Sequence, residues 1–324
     1  MADPSEDRNS RRTTRAIVAV ATLVACLAAV HCGGGNSATG PTPPPGTTPP
    51  GDPGPPPPTP PPSGPQIFVG AGDIAMCDAL EPARQTAQLL RGIGGTVFTL
   101  GDNAYMGGTI QEFRQCYDPT WGTEKFRTRP TLGNHEYEGG NAGGPYFEYF
   151  GGNAGPPGLG YYSFPIGSWH AIALNSNISA SEGSAQGQWL KADLAANGAR
   201  CTIAYWHHPL FTSGQNGPQG VGADFWRLLY NAGADVVMNG HDHLYERFAP
   251  QDPNGRPDPQ RGMREFLVGS GGAMLYNFTS HAANSERQIR AFGVLKLTLD
   301  TETYSWEFIQ PGGAVGDSGS GQCH

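Results

Sequence analysis

Thr96-Val97-Phe98-Thr99-Leu100-Gly101-Asp102-Asn103-Ala104-Tyr105 is the stretch on which the fold reading turns. A short run of β-branched and apolar residues meets a glycine, and side chains bearing oxygen donors follow at once. Such a run, bounded by a turn residue, reads as a buried strand. The glycine lets the backbone bend sharply. Asp102 and Tyr105 are thereby delivered to the carboxyl end of the strand.

The same arrangement recurs four times. Ile67 to Ala71 leads into Gly72-Asp73, and Arg129 to Leu132 into Gly133-Asn134-His135-Glu136. Cys201 to Trp206 leads into His207-His208-Pro209, and Asp235 to Met238 into Asn239-Gly240-His241-Asp242-His243. Helical spacing is expected over Glu81 to Arg91, Ser184 to Ala196 and Asp224 to Asn231. Strands alternating with helices make an α/β domain. The later runs Glu265 to Val268, Gly293 to Leu299 and Tyr304 to Ile309 lack helices between them and suggest a second, partly antiparallel sheet. In α/β sheets, ligand sites collect beyond the carboxyl ends of strands. Five distant segments are therefore expected to converge on one rim.

The residue types at those turns point to metal. Carboxylates, amide and phenol oxygens combined with imidazoles suit zinc, iron or manganese. Five of the nine histidines fall in the turns: His135, His207, His208, His241 and His243. Each element alone has a plainer reading, the Gly-Asp pair as a turn and Tyr105 as a half-buried aromatic. Their joint occurrence in this order carries the inference. Strand alternation should turn His208 away from the site.

The motifs Gly-Asp73, Gly-Asp102-x-x-Tyr105, Gly-Asn134-His135-Glu136, His207-x-Pro209 and Gly-His241-x-His243, the last continuing into Tyr245-Glu246-Arg247, resemble those of the calcineurin-like metallophosphoesterases. Within that superfamily they are most similar to the purple acid phosphatases. The resemblance runs from about Ile67 to at least Arg247. It implies a sandwich of two mixed β-sheets flanked by helices. It implies one metal ion held by Asp73, Tyr105 and His243, a second held by Asn134, His207 and His241, and Asp102 bridging them. Where many relatives place a histidine ligand in the first motif, this chain has Ala75, and Tyr105 would supply the donor instead. A phenolate suits ferric iron, so Fe(III) beside a divalent Zn, Fe or Mn is the expected pair. The implied activity is phosphate monoester hydrolysis, with water acidified by the two ions and His135 as the candidate catalytic residue. Relatives often carry a further histidine after the His207 position, but Leu210 to Gly220 contains none, and Asn216 stands near that place. A phosphodiesterase using the same ions and a non-catalytic surface module are the competing readings.

The rest of the chain sets the context. Net charge is −8, and no basic cluster follows Arg15, so nucleic acid is not an expected partner. Arg11, Arg12 and Arg15 precede an apolar stretch from Ala16 to Val30, too short and Ala-rich for a membrane span. Residues 1–32 thus read as a signal peptide of lipoprotein type, with lipid on Cys26 or Cys32. The protein is expected to be exported and lipid-anchored at the cell envelope; with an ordinary cleaved signal it would be periplasmic or secreted. Residues 33–65, rich in Pro, Gly and Thr, form a spacer without a core, and residues 66–324 the catalytic domain. About 260 residues suffice for one sizeable core. Four cysteines remain there, which in an oxidising compartment suggests two disulfides. Of three possible pairings, Cys77–Cys116 and Cys201–Cys323 are expected, the second pinning the Gly-rich tail. Glu138 to Tyr162, rich in Asn, Gly and Tyr, reads as a loop, either substrate-shaping or decorating the surface. Nothing in the sequence sets an oligomeric state.

Overall fold

The structure, a computed structural model, describes residues 64–324. The expected signal peptide and the expected spacer up to residue 63 lie outside the described residues.

Two mixed sheets form the domain. In hydrogen-bonded order the first runs Val315–Gln322, Thr303–Ile309, Val294–Leu299, Gln66–Ala71, Thr96–Thr99 and Thr128–Arg129. Its last three strands are parallel, and the C-terminal ones antiparallel. The second runs Ser285–Ile289, Tyr245–Phe248, Arg264–Val268, Val236–Asn239, Cys201–Tyr205, Trp169–Ala173 and Tyr162–Ile166, with a parallel centre and antiparallel flanks. The late strands do not form a sheet of their own. Arg264–Val268 extends the second sheet, while Val294–Leu299 returns to pair with Gln66–Ala71. In Val294–Leu299 the alternate residues Leu295, Leu297 and Leu299 are buried, while Lys296 and Thr298 on the other face are half-buried.

Period-two alternation explains the layers. Along Cys201–Tyr205, Ile203 and Tyr205 enter the core between the sheets, while Ala204 faces an outer cluster. Val236 and Met238 likewise point inward, and Val237 outward. Phe68 of the first sheet meets Tyr205 of the second with ring centroids 5.6 Å apart. Helices Ala185–Ala196 and Ala223–Asn231 cover the outer face of the second sheet, burying Leu190, Phe225, Trp226 and Leu229. Helix Glu81–Gly92 buries Ala83, Thr86, Ala87 and Leu90, the i, i+3, i+4, i+7 stripe of an amphipathic helix. Ser184 caps its helix by accepting from the Gly187 N–H.

The two disulfides join Cys77 to Cys116 and Cys201 to Cys323. The second ties down an ordered strand, Val315–Gln322, rather than a loose tail. Glu138 to Tyr162 is also more ordered than its composition suggests. Helix Gly144–Phe150 lies within it, and buried Tyr149 and Phe150 pack on Phe113 and Tyr117. Its tyrosines are core aromatics, which polar and glycine neighbours disguise.

Candidate metal centre

The ends of the five strands meet at one rim, stitched together by main-chain hydrogen bonds. The Asp73 N–H donates to the Gly101 carbonyl (3.1 Å), and the Gly240 N–H to the His207 carbonyl (2.9 Å). His207 Nδ1 donates to the Leu100 carbonyl (2.7 Å), joining the two sheets at their carboxyl ends.

Three of the delivered residues hold unusual backbone conformations. Asp73, Asp102 and His241 have φ of 60°, 47° and 73°, in the left-handed region that non-glycine residues seldom occupy. Such conformations cost of order 1–3 kcal/mol each and persist only where surroundings over-determine them. Here each N–H is anchored: Asp73 to Gly101, Asp102 to Glu136 Oε2 (3.0 Å), and His241 to Asp73 Oδ2 (2.9 Å). Close backbone approach demands glycine beside them. A Cβ on Gly133 would collide with the Asp102 carboxylate and main-chain nitrogen. One on Gly101, at φ +82°, would collide with Gly133 and the His207 ring.

The donor atoms fall into two groups that share one oxygen. In the first, the Tyr105 hydroxyl lies 2.9 Å from Asp73 Oδ1 and 3.1 Å from His243 Nε2. In the second, His207 Nε2 lies 3.0 Å from Asn134 Oδ1 and 3.1 Å from His241 Nδ1. Asp102 Oδ2 is 3.1 Å from the Tyr105 hydroxyl and 3.3 Å from His207 Nε2, so it faces both. Its other oxygen accepts from the His135 N–H (2.9 Å). Main-chain carbonyls set the imidazole tautomers. Leu100 accepts from His207 Nδ1, and Met274 from His243 Nδ1 (2.6 Å), leaving both Nε2 atoms toward the centre. All seven sequence candidates, Asp73, Asp102, Tyr105, Asn134, His207, His241 and His243, are thus in one cluster. The set mixes hard oxygen and imidazole donors, a chemistry suited to two hard or borderline cations.

The protons report the crowding. Burial pulls the His207 pKa down, but the Asp102 carboxylate outweighs it, and the net is a rise to about 9. Asp102 is held well below the carboxylate range: burial raises its pKa, but His207 lowers it more. His241 falls to about 4 through burial and the neighbouring His207. Burial, with Asp102 and Asp73 alongside, pushes the Tyr105 phenol far up.

His135 stands at the edge of the cluster. Its Nε2 lies 3.7 Å from Asp102 Oδ2, and its Nδ1 donates to the Met106 carbonyl (2.6 Å), with Glu138 Oε1 at 3.1 Å. His208 is not turned away as alternation implied. The strand ends at Tyr205, so the pattern has lapsed by His208, and its ring packs 4.6 Å from that of His241. Ser176 Oγ accepts from the His208 main-chain N–H (3.2 Å) and lies 2.8 Å from His208 Nδ1. Ala75 is buried and offers no donor; Met76 pairs with Tyr105, whose hydroxyl reaches Asp73 from the neighbouring strand. The Asn216 side chain donates to the His241 carbonyl (2.9 Å).

Sequence reasoning gave Glu136 no role beyond its motif. Its fully buried carboxylate accepts from the N–H groups of Asp102 (3.0 Å), Asn103 (2.7 Å) and Gly133 (2.6 Å). It is the anchor that holds two turns in register. No linear signal marks this, because two of its three partners lie 33 and 34 positions upstream.

Comparison with known proteins agrees with this geometry. Purple acid phosphatase 18 of Arabidopsis thaliana is 39% identical over 119 residues, covering 35% of this chain and 26% of that protein. Purple acid phosphatase 23 of the same plant is 31% identical over 155 residues, covering 41% and 34%. The chain therefore matches only about a quarter to a third of the length of these relatives. The structure of a purple acid phosphatase from yellow lupin (Lupinus luteus) seeds superposes with a TM-score of 0.71 at 24% identity, over 81% of this chain and 55% of that one, a likeness of fold. The family model for calcineurin-like phosphoesterases matches residues 61–245, more than half of the sequence and all seven clustered donors, so the chain belongs to the calcineurin-like phosphoesterase family.

Proposed function

We propose that this protein hydrolyses phosphate monoesters in the manner of a purple acid phosphatase, with two metal ions at the strand-end cluster. The observation that carries the reading is Asp102 Oδ2, shared between two separate donor groups. Asp73, Tyr105 and His243 would hold one ion, Asn134, His207 and His241 the other, and Asp102 both. When bound, the ions supply positive charge for phosphate oxygens and acidify water. Tyr105 favours Fe(III) on its side, since a phenolate is a hard, anionic donor; Zn, Fe or Mn suits the other.

The protein's own groups do the positioning. Glu136 and the Gly133 turn hold Asp102 in place, and the carbonyls of Leu100 and Met274 orient two imidazoles. His135, whose Nε2 lies 3.7 Å from Asp102 Oδ2, would contact a phosphoryl oxygen and deliver a proton to the departing alkoxide. His135→Ala should slow alkyl esters more than nitrophenyl esters, whose leaving group needs no proton. We further propose export, with lipid on Cys26 or Cys32; the two disulfides of the domain support an oxidising compartment.

The test is metal-loaded protein assayed on nitrophenyl phosphate and bis-nitrophenyl phosphate beside Asp102→Ala. Monoester turnover that Asp102→Ala abolishes supports the proposal. A preference for the diester moves the function to a phosphodiesterase. No turnover of either ester by protein containing two ions per chain would refute it.

A further inference from the structure

Among the described residues six large hydrophobic side chains are exposed, and two of them belong to residues whose main-chain carbonyls hold histidines of the metal centre. Met106 is 57% exposed and Met274 61%. Each is tied to the site by its own carbonyl, Met106 accepting from His135 Nδ1 and Met274 from His243 Nδ1, both at 2.6 Å. The His135 and His243 rings both pack on Tyr105, at centroid distances of 4.5 and 5.8 Å. The two thioethers therefore belong to segments gripping the same donor tyrosine from two histidines.

The Met274 segment is held firmly. The Ala273 N–H donates to the Asp73 carbonyl (2.8 Å), and the Tyr276 N–H to the His243 carbonyl (2.9 Å). The Tyr276 ring stacks on His243 at 4.0 Å and 6°, extending the apolar wall. The nearby cation, Arg290, spends its guanidinium on the carbonyls of Leu275 and Tyr276. Two carboxylates face His135, those of Asp102 and Glu138, and the more exposed Glu138 repels an anionic leaving group. Exposed methionine is a poor choice for a surface that meets only water, and an adaptable one for a surface that meets apolar groups of varied shape.

We propose that Met106 and Met274 form an apolar clasp at the mouth of the metal centre that favours phosphate esters with an alkyl or aryl leaving group. The inference rests on the hydrolase reading above. It is tested with ethyl and hexyl phosphate, whose leaving alcohols are equally basic, so that chain length alone differs. Each fully buried methylene is worth roughly fourfold. A partly open clasp covering some of the chain should give hexyl phosphate about tenfold higher kcat/KM in the metal-loaded enzyme. The ratio should fall toward one in Met106→Ser/Met274→Ser. Hexylphosphonate should inhibit the unaltered enzyme more strongly than ethylphosphonate, a readout that needs no variant. Equal kcat/KM for the two esters overturns the clasp while leaving the hydrolase standing, as does a tenfold ratio that survives the double substitution. Turnover of neither alkyl ester by enzyme that hydrolyses nitrophenyl phosphate overturns the clasp, and loss of nitrophenyl phosphate turnover as well overturns the hydrolase reading itself.

Discussion

Removing the Glu136 carboxylate should uncouple the metal centre from its scaffold. Three main-chain N–H groups, those of Asp102, Asn103 and Gly133, converge on this one side chain in a fully buried site. Each buried N–H left without a partner costs about 1–3 kcal/mol. With some relief from water entering the space, Glu136→Ala should lose roughly 3–6 kcal/mol. Glu136→Gln should lose less. Burial, reinforced by the neighbouring Asp102, lifts the Glu136 pKa to about 7, so the protonated acid, which Gln mimics, is already accessible near neutral pH. The amide oxygen can keep the Asp102 and Gly133 donors, leaving one N–H facing the amide nitrogen, at about 2 kcal/mol. A shift of Asp102 by about 1 Å should lower kcat about a hundredfold. Urea unfolding of the metal-free protein gives the first quantity, metal titration and nitrophenyl phosphate turnover the second. If Glu136→Ala unfolds within 1 kcal/mol of the unaltered protein and keeps its metal affinity, the anchoring argument is wrong, and it is equally wrong if Gln proves more damaging than Ala.

Metal affinity should rise with pH, most steeply up to about 9, where the His207 proton is lost, and less steeply beyond, where the Tyr105 proton remains to be displaced. The His207 proton, held by Asp102, and the Tyr105 phenolic proton must both leave on loading, giving up to tenfold per pH unit for each proton displaced, measurable by competitive chelation. The same shift has the opposite sign for the metal-free protein. The folded His207 pKa is above its unfolded value of 6.5, so its contribution to stability is complete below pH 6.5 and is lost as pH rises through about 9. Tyr105→Phe should abolish any visible charge-transfer band and weaken binding on that side, while denaturant unfolding shifts by only about 1 kcal/mol; a band that persists would place the iron elsewhere. Cys323→Ser should cost about 2–4 kcal/mol, because the Cys201–Cys323 bond closes a loop of 122 residues. Unchanged stability would mean that the pairing of Val315–Gln322 with Thr303–Ile309 holds the edge unaided.

Local chemistry made the strands, the helices and the donors legible. Short apolar runs ending in Gly-Asp, Gly-Asn or Gly-His report strand ends directly, because glycine is needed where Gly101 and Gly133 press against neighbouring backbone. The i, i+3, i+4 spacing reports helix Glu81–Gly92 in the same way. Less was readable where sequence signals are ambiguous. The helix Gly144–Phe150 is short and follows a run of glycines, so its buried tyrosines pass for loop residues. The strand Val315–Gln322 carries glycines whose place in a sheet depends on its partner Thr303–Ile309.

The sequence by itself determined which side chains have the donor chemistry for metal ions and which turns carry them, since both depend on residue type and neighbours a few positions away. Only the tertiary structure decided that Asp102 faces two donor groups through one oxygen, that Glu136 anchors two turns, that His208 lies against His241, and that the Met106 and Met274 carbonyls hold His135 and His243. Those facts depend on segments up to about 170 positions apart being brought within hydrogen-bond reach, and that proximity arises from sheet pairing and core packing.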